Sequence, residues 1–452
     1  MKQKNAQWIK KSLLCCVTGL LFVSLFSCKD KDEPIKIFDL NVKLVYPAQY
    51  PPMAGIKVKL ENTTTGTSLE AQTDANGITL FQVNAGTYNV SVSESRVVGF
   101  SNVIFNGTAN NIIVSDNRSV DISLQEAKIH QLVIKEFYCG GCQRNDGSGA
   151  FSNDQYVILY NNSGEPATLL NGSLGFTLPL NANATNNDMV GGVLSFENQG
   201  WIGAGYAFWT FPQPVTIEPG KQIVVALKNA VDNTLTYSNS INFANPSYYC
   251  TYDMESQFIQ ESSYPPPAAI PSNHWLKAYV WGLGSAWPMS ISSPGFFVFS
   301  IPTSPQAFLD DESNINYHGA ATAANMRKKV PVEWIVDAID VFAYGNPSNQ
   351  KRFSTVVDAG YVELRNQYGF TLYRNVDKEA TEAIEGNAGK IVYNYSLGTL
   401  NYELNGDIIN GSTDPSGIDA EASLKNGARI QYKNTNNSSN DFHMRQRASL
   451  RD

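Results

Sequence analysis

Two cysteines separated by two glycines form the segment whose residue types and spacing most directly indicate chemistry. Cys139-Gly140-Gly141-Cys142 has the spacing of a redox or metal-binding motif. A redox cysteine is expected at the start of a helix, but Cys139 follows a strand-like segment, and zinc would need two further ligands at similar spacing. We predict a structural disulfide between Cys139 and Cys142, with Cys250 buried and free. A bridge from Cys250 to one of the pair, a metal site, a redox pair and free thiols remain as alternatives.

The acidic residues do not indicate paired catalytic carboxylates. Asp337 and Asp340 are three residues apart in a strand-like segment, so their side chains should point to opposite faces and share neither a proton nor a metal ion. The triplet Asp310-Asp311-Glu312 is typical of a solvated loop. No metalloprotease, serine-hydrolase or nucleotide-binding motif occurs in a suitable context. We therefore expect no catalytic residue, no metal and no cofactor, although glycosidase carboxylates can lie anywhere in a chain.

Aromatic side chains are concentrated between Phe243 and Pro302. Aromatic residues on long loops with few charges are typical of surfaces that stack on carbohydrate, capture peptides or bind another protein. The alternative is that these side chains cover an irregular core. The candidate recognition residues are Tyr248, Tyr249, Tyr252, Trp275, Tyr279, Trp281 and Trp287.

Composition limits the classes of function. The 452 residues are 42% hydrophobic and only 16% charged, with a net charge of −8, which predicts two or three domains with substantial cores. Nucleic-acid binding needs clustered lysine or arginine, and no basic block occurs. We therefore exclude nucleic acid as a partner.

The N-terminal residues have the pattern of an export signal. A lysine-rich start is followed by the uncharged, apolar stretch Ser12–Phe26, which is too short to span a hydrocarbon layer of about 30 Å but suits a signal peptide. The end of this stretch, Leu25-Phe26-Ser27-Cys28, resembles a bacterial lipobox. This resemblance implies that residues 1–27 are cleaved and that the Cys28 thiol is acylated. An ordinary signal peptide or an anchor helix with a chance cysteine is the alternative.

Residues 28–35 form a charged tether. Lys29-Asp30-Lys31-Asp32-Glu33-Pro34 resembles the acidic export signal that carries lipoproteins of Bacteroidetes to the outer face of the outer membrane. The resemblance implies that the protein is anchored through Cys28 in outer-membrane lipid and faces the cell exterior. An anchor that faces the periplasm is the alternative.

Residues 36–126 are expected to form a first β-sandwich. Apolar and polar residues alternate in Ile37–Leu44, which predicts a strand, and we expect Asp74–Gly77 to form a tight turn and Gly86 to form the next turn. The T-D-x-x-G turn, the aromatic strand and the pattern G-x-Y-x-V-x-V resemble the carboxypeptidase-regulatory-like, or prealbumin-like, sandwich. This resemblance implies a spacer or stalk.

Residues 127–452 are expected to form a larger sandwich with long loop insertions. The strand Gln131–Tyr138, the strand and turn Gln155–Gly164, and the later segments Gly369–Arg374 and Asn440–Phe442 resemble landmarks of lamin-tail-like domains. The alanine-rich segment 319–329, which ends in three basic residues, predicts a short helix. The predicted fold class is thus all-β, with two β-sandwich domains of which the first is prealbumin-like or immunoglobulin-like.

The whole arrangement resembles a Bacteroidetes lipoprotein family termed domain of unknown function 4876, which brings no known activity. The resemblance rests on the lipobox, the first module and the motifs around Tyr156, Trp334 and Asp358. We expect a non-enzymatic surface binding protein, accessory to nutrient or metal capture by an outer-membrane transporter or binding an extracellular glycan or peptide. An adhesin or structural surface protein and a hydrolase with unrecognised carboxylates are the alternatives.

Overall fold

The computed structural model describes residues 36–48, 50–98, 101–128, 131–185, 187–260, 262–394, 401–404, 407–410 and 412–451. The predicted signal peptide 1–27, the acylation site Cys28 and the tether 28–35 lie outside the described residues.

Eight strands form the first module: β1 Ile37–Val45, β2 Lys57–Asn62, β3 Ser68–Gln72, β4 Ile78–Asn84, β5 Gly86–Val98, β6 Ser101–Val114, β7 Arg118–Ser123 and β8 Gln125–Lys128. They form a three-stranded sheet in the order β4-β1-β7 and a five-stranded sheet in the order β3-β2-β5-β6-β8. Alternate residues of the strands, such as Leu40, Val42, Val90 and Val92, form one apolar core. The period-two pattern in the sequence therefore corresponds to a sandwich with a buried and an outer face on each sheet.

The turn between β3 and β4 shows how the sequence sets local structure. The Asp74 carboxylate accepts hydrogen bonds from the backbone N–H groups of Asn76 and Ile78, both at 2.9 Å. Gly77 has φ +74°, and a Cβ there would lie 3.1 Å from the Cβ of Pro52. Asp74 thus stabilises a tight turn that requires glycine.

The remaining strands are β9 Leu132–Tyr138, β10 Cys142–Gln143, β11 Ala150–Phe151, β12 Tyr156–Asn161, β13 Ala167–Leu169, β14 Gly172–Phe176, β15 Met189–Val190, β16 Val193–Leu194, β17 Trp201–Gly205, β18 Ala207–Thr210, β19 Val215–Ile217, β20 Gln222–Ala226, β21 Tyr249–Thr251, β22 Trp275–Val280, β23 Gly295–Ser300, β24 Ile315–Tyr317, β25 Met326–Pro331, β26 Ile335–Ala343, β27 Val362–Leu364, β28 Thr371–Arg374, β29 Asn401–Leu404, β30 Asp407–Asn410 and β31 Phe442–Arg445. The α-helices are α1 Pro305–Asp310, α2 Lys378–Glu382, α3 Ala420–Lys425 and α4 Ser438–Asp441.

A twelve-stranded sheet dominates the second module, in the order β27-β26-β23-β14-β18-β22-β21-β20-β12-β9-β28-β31. The sheet curls so that its two edge strands approach each other, and the backbone N–H of Arg365, just after β27, contacts Met444 Sδ on β31 at 3.3 Å. Strands β9 and β12 are buried along their whole length, as expected inside a nearly closed sheet. The predicted all-β class is confirmed.

The predicted helix at 319–329 was wrong. The segment contains one 3₁₀ turn at Ala323–Asn325, and its basic residues lie on β25, which pairs antiparallel with β17. Arg327 is buried there, and its guanidinium forms two hydrogen bonds with the Asp188 carboxylate at 2.6 and 2.8 Å. Tertiary pairing therefore overrides the helical preference of the alanines.

Candidate functional site

Arg374 lies at the centre of a buried ionic network in the second module. Its guanidinium pairs with Asp337 on β26 and, at 3.3 Å, with Asp441 at the end of α4, and its Nε donates to the Ile134 carbonyl on β9 at 2.7 Å. Arg374 and Asp441 are each 1% exposed and Asp337 is 8% exposed. Burial raises the pKa of both carboxyl groups, and the charge of Arg374 opposes that effect. The network joins β9, β26, β28 and α4 where the sheet closes.

A second buried carboxylate pair is formed by Asp358 and by Asp340, which lies three residues after Asp337 on β26. Asp358 accepts hydrogen bonds from the Asp340 N–H at 2.9 Å and from the Ser438 N–H at 2.8 Å. Lys351 Nζ lies 3.3 Å from Asp340 Oδ2 and donates to the Asp358 carbonyl at 2.7 Å. Burial, reinforced by the Asp340 charge, raises the pKa of Asp358 to about 7 although Lys351 lowers it. Asp337 and Asp340 thus serve two separate clusters, in agreement with their placement on a strand.

These carboxylates are poorly placed for hydrolysis. Asp340 is fully buried and Asp358 is 1% exposed, whereas a glycosidase pair must contact the sugar on both sides of the scissile bond. Their oxygens accept bonds from backbone N–H groups, from Ser438 and from the Asn181 amide at 2.6 Å. The arrangement holds loops together and offers no access to a substrate.

The expected disulfide is not formed in the structure. Cys139, Cys142 and Cys250 are buried free thiols. Cys139 packs in the main apolar core, whereas Cys142 lies beside Asp154, and burial raises the pKa of Cys142 to about 12. The left-handed turn at Gly141, between the two cysteines, leaves their side chains in different surroundings. Cys250 is buried and free, as expected, and the Cys139–Cys142 bridge stays a prediction for an oxidising environment.

The predicted aromatic recognition loop is divided between two cores. Trp287 and Tyr252 are 0% and 7% exposed, so neither side chain is available to a ligand at the surface. The others are half-buried: Tyr248, Tyr249 and Trp275 against the main core, and Tyr279 and Trp281 against the core around Phe208. Tyr279 stacks on Phe208 with ring centroids 4.9 Å apart. The structure therefore favours core packing over one continuous binding surface.

A surface groove of about 590 Å³ lies elsewhere, where β9, β13, β14, β23 and β26 begin or end. Its volume is in the range of small-molecule sites. Sequence reasoning missed this groove because its walls come from segments far apart in the chain. The groove is lined by Gln131, Leu132, Ala167, Thr168, Leu169, Leu170, Asn171, Pro214, Ser300, Ile301, Pro302, Glu333, Trp334 and Val336.

Most polar side chains of the groove are already bonded within the protein. Ser300 Oγ donates to the Leu170 carbonyl at 2.6 Å, and the Asn171 amide donates to the Thr303 carbonyl at 2.9 Å. Thr168 forms a hydroxyl hydrogen bond at 2.8 Å with Thr216 on the neighbouring strand. The groove therefore presents more apolar than polar surface, with the half-buried ring of Trp334 as its aromatic contact and the exposed Glu333 as its charged residue.

Two further properties of the described residues bear on function. None of the helices formed by these residues is long and apolar enough to cross a membrane. Within the same ranges, no three His, Cys, Asp or Glu side chains are grouped so that they could hold a metal ion.

Comparison with known families gives one match within the chain. Residues 218–393 match the DUF4876 family model, described as a protein of unknown function. A crystal structure of a DUF4876 family protein from Bacteroides thetaiotaomicron VPI-5482 is similar at 17% identity and a TM-score of 0.49, covering 90% of this chain and 94% of that one. A DUF3823 family protein from Parabacteroides merdae aligns at 9% identity and a TM-score of 0.15, covering 38% and 90%. No curated protein matched significantly.

The DUF4876 match includes most of the residues that close the large sheet. Asp337, Asp358 and Arg374 all lie within it, as does Trp334 of the groove. Asp441, the second carboxylate partner of Arg374, lies beyond its end. The DUF4876 region therefore depends for its buried charge balance on a segment outside the match.

Proposed function

We propose that this protein is a lipid-anchored surface protein of a Bacteroidetes-type bacterium that binds an apolar or amphipathic small molecule in the groove. Support for the anchor is the sequence Leu25–Cys28, preceded by a basic and then an apolar stretch. The acidic tether after Cys28 supports a position on the outer face of the outer membrane. We also propose that the first module is a prealbumin-like sandwich and that the second is a lamin-tail-like sandwich.

The observation that carries the binding proposal is the groove of about 590 Å³, whose wall is more apolar than polar. A concave, mainly apolar site with few free polar groups favours a ligand held by burial of its own apolar surface. We also propose that the protein assists an outer-membrane transporter, and this part of the proposal rests only on the proposed location. The buried, internally bonded carboxylates weigh against the hydrolase alternative, and an adhesin remains the alternative if no small ligand binds.

The binding proposal predicts that the neutral apolar dye Nile red binds to the groove. Leu170 is 58% exposed at the groove, and Leu235 is 85% exposed and does not line it. Leu170→Asp should weaken dye binding about tenfold by adding a charge to the apolar wall, whereas Leu235→Asp should change it less than about twofold. Fluorescence titration gives both affinities, and Trp334→Ala should also weaken binding.

Two results would contradict the proposal. One is that the wild type does not bind Nile red, and the other is that the two aspartate variants bind it equally. A panel of glycans, peptides and haem, competed against the dye, then identifies the chemical class of the natural ligand.

A further inference from the structure

Strand β6 of the first module is buried on both faces. Val103 and Phe105 belong to the core of that module, as expected for the inner face of its sheet. The alternating residues Ile104 and Asn106 point to the outer face, but they are only 2% and 0% exposed. Something other than solvent therefore covers this part of the outer face.

The covering segment belongs to the second module. The Asn106 side-chain amide donates to the Thr435 carbonyl at 2.5 Å and lies 3.4 Å from the Asn436 carbonyl. We call residues 434–441 the clasp. Asn436, in the clasp, adopts φ +49°, and its carbonyl also accepts from the Ala359 N–H at 2.7 Å.

The clasp is held rigidly within its own module by two buried carboxylates. Asp441 accepts from the Thr435 N–H at 2.8 Å and from the Thr435 hydroxyl at 2.7 Å, and it also pairs with Arg374. Asp358 accepts from both the N–H and the hydroxyl of Ser438. The segment whose carbonyls face Asn106 is thus held by bonds within the second module.

The clasp also packs closely on a glycine of its own module. A Cβ on Gly360 would lie 2.0 Å from the Asn437 Oδ1 and 2.6 Å from the Ser439 N. The loop that carries Asp358 therefore packs directly on the clasp, without room for a side chain. This packing holds the clasp against the second module, so the clasp presents its carbonyls to β6 as part of that module.

We propose that the clasp is a docking surface for the first module, which binds it through the outer face of β6, so that the two modules act as one rigid body. The first module is then a fixed platform for the second instead of a freely jointed stalk. Asn106 supplies the specific contact, because its amide is the group that donates to the two clasp carbonyls.

Asn106→Asp tests the proposal because it replaces a donor by a carboxylate that faces carbonyl oxygens. The matched control is Asn110→Asp, the same change at an exposed position of the same strand. In small-angle scattering of the full chain, the maximum dimension should be larger than that of the wild type in Asn106→Asp and unchanged in Asn110→Asp. Hydrogen-exchange mass spectrometry of the same proteins reports which parts of each variant remain folded.

Peptides from the two cores, around Val42 and Ile158, report whether a variant stays folded. If the cores of Asn106→Asp lose their protection from exchange, Asn106→Ala is used for the test, because it removes the donor without adding charge. A larger maximum dimension of Asn106→Ala with intact cores supports docking. Wild-type dimensions in a folded Asn106 variant would overturn the proposal.

Discussion

Replacing Arg374 by methionine is expected to lower the free energy of unfolding by about 3–5 kcal/mol. The substitution leaves the buried carboxylates Asp337 and Asp441 without their shared cation, and an unpaired buried charge is among the most destabilising changes in a protein. Denaturant unfolding at pH 7, followed by tryptophan fluorescence, measures the loss. Because the network lies where the sheet closes, we also expect faster exchange at the edge strands β27 and β31.

Lys378→Met provides the matched control for this prediction. Lys378 and Glu382 form an exposed pair at 4.0 Å on α2, and such surface pairs contribute about 0–1 kcal/mol. Loss of a lysine charge alone should therefore have little effect. If Arg374→Met and Lys378→Met destabilise equally, the buried network does not stabilise the closed sheet.

Replacing Asp358 by asparagine should make the protein progressively more stable, relative to the wild type, as the pH rises from about 4 to about 8. The ordinary pKa of 3.8 rises to about 7 in the folded protein because burial disfavours the charged form. Folding therefore favours the protonated carboxyl group: its contribution to stability is complete below the unfolded pKa and is lost as the pH rises through the folded pKa. Asparagine does not titrate, so the difference between the two proteins should grow by about 4 kcal/mol across this range.

The measurement is the free energy of unfolding of both proteins at several pH values. Subtracting one curve from the other removes the contributions of the titrating groups that do not interact with Asp358. Asp311→Asn is the control: Asp311 is exposed, the hydrogen bonds that its carboxylate accepts from Ser313 lower its pKa, and its difference curve should be flat between pH 4 and 8. A flat curve for Asp358→Asn would mean that Lys351 and the hydrogen-bond donors to Asp358 fully compensate the buried charge.

Local features of the fold could be predicted from the sequence because their causes are local. Alternation in Ile37–Leu44 matches β1, and the Asp74–Gly77 turn is formed by neighbouring residues. The prediction of a helix at 319–329 was wrong because Arg327 is paired with Asp188, 139 positions earlier in the chain. Local propensity carries no information about a partner at that separation.

The buried networks and the groove were beyond sequence reasoning for the same reason. Asp337, Arg374 and Asp441 were recognised separately, as parts of motifs, but their pairing depends on the order of strands in the large sheet. The aromatic residues were found correctly as a cluster in sequence, yet Trp287 is fully buried and Tyr279 packs on a different core. Only the three-dimensional arrangement distinguishes a packed aromatic residue from an exposed one.

The claim that the protein is anchored by lipid at the cell surface is tested most directly by proteinase treatment of intact cells that carry either the wild type or Cys28→Ala. The wild-type protein should be degraded while a periplasmic marker survives, and the Cys28→Ala protein should not be retained at the surface, because acylation at Cys28 provides its attachment. A wild-type protein that resists proteinase on intact cells would contradict surface exposure. Equal surface degradation of Cys28→Ala would contradict the lipid anchor.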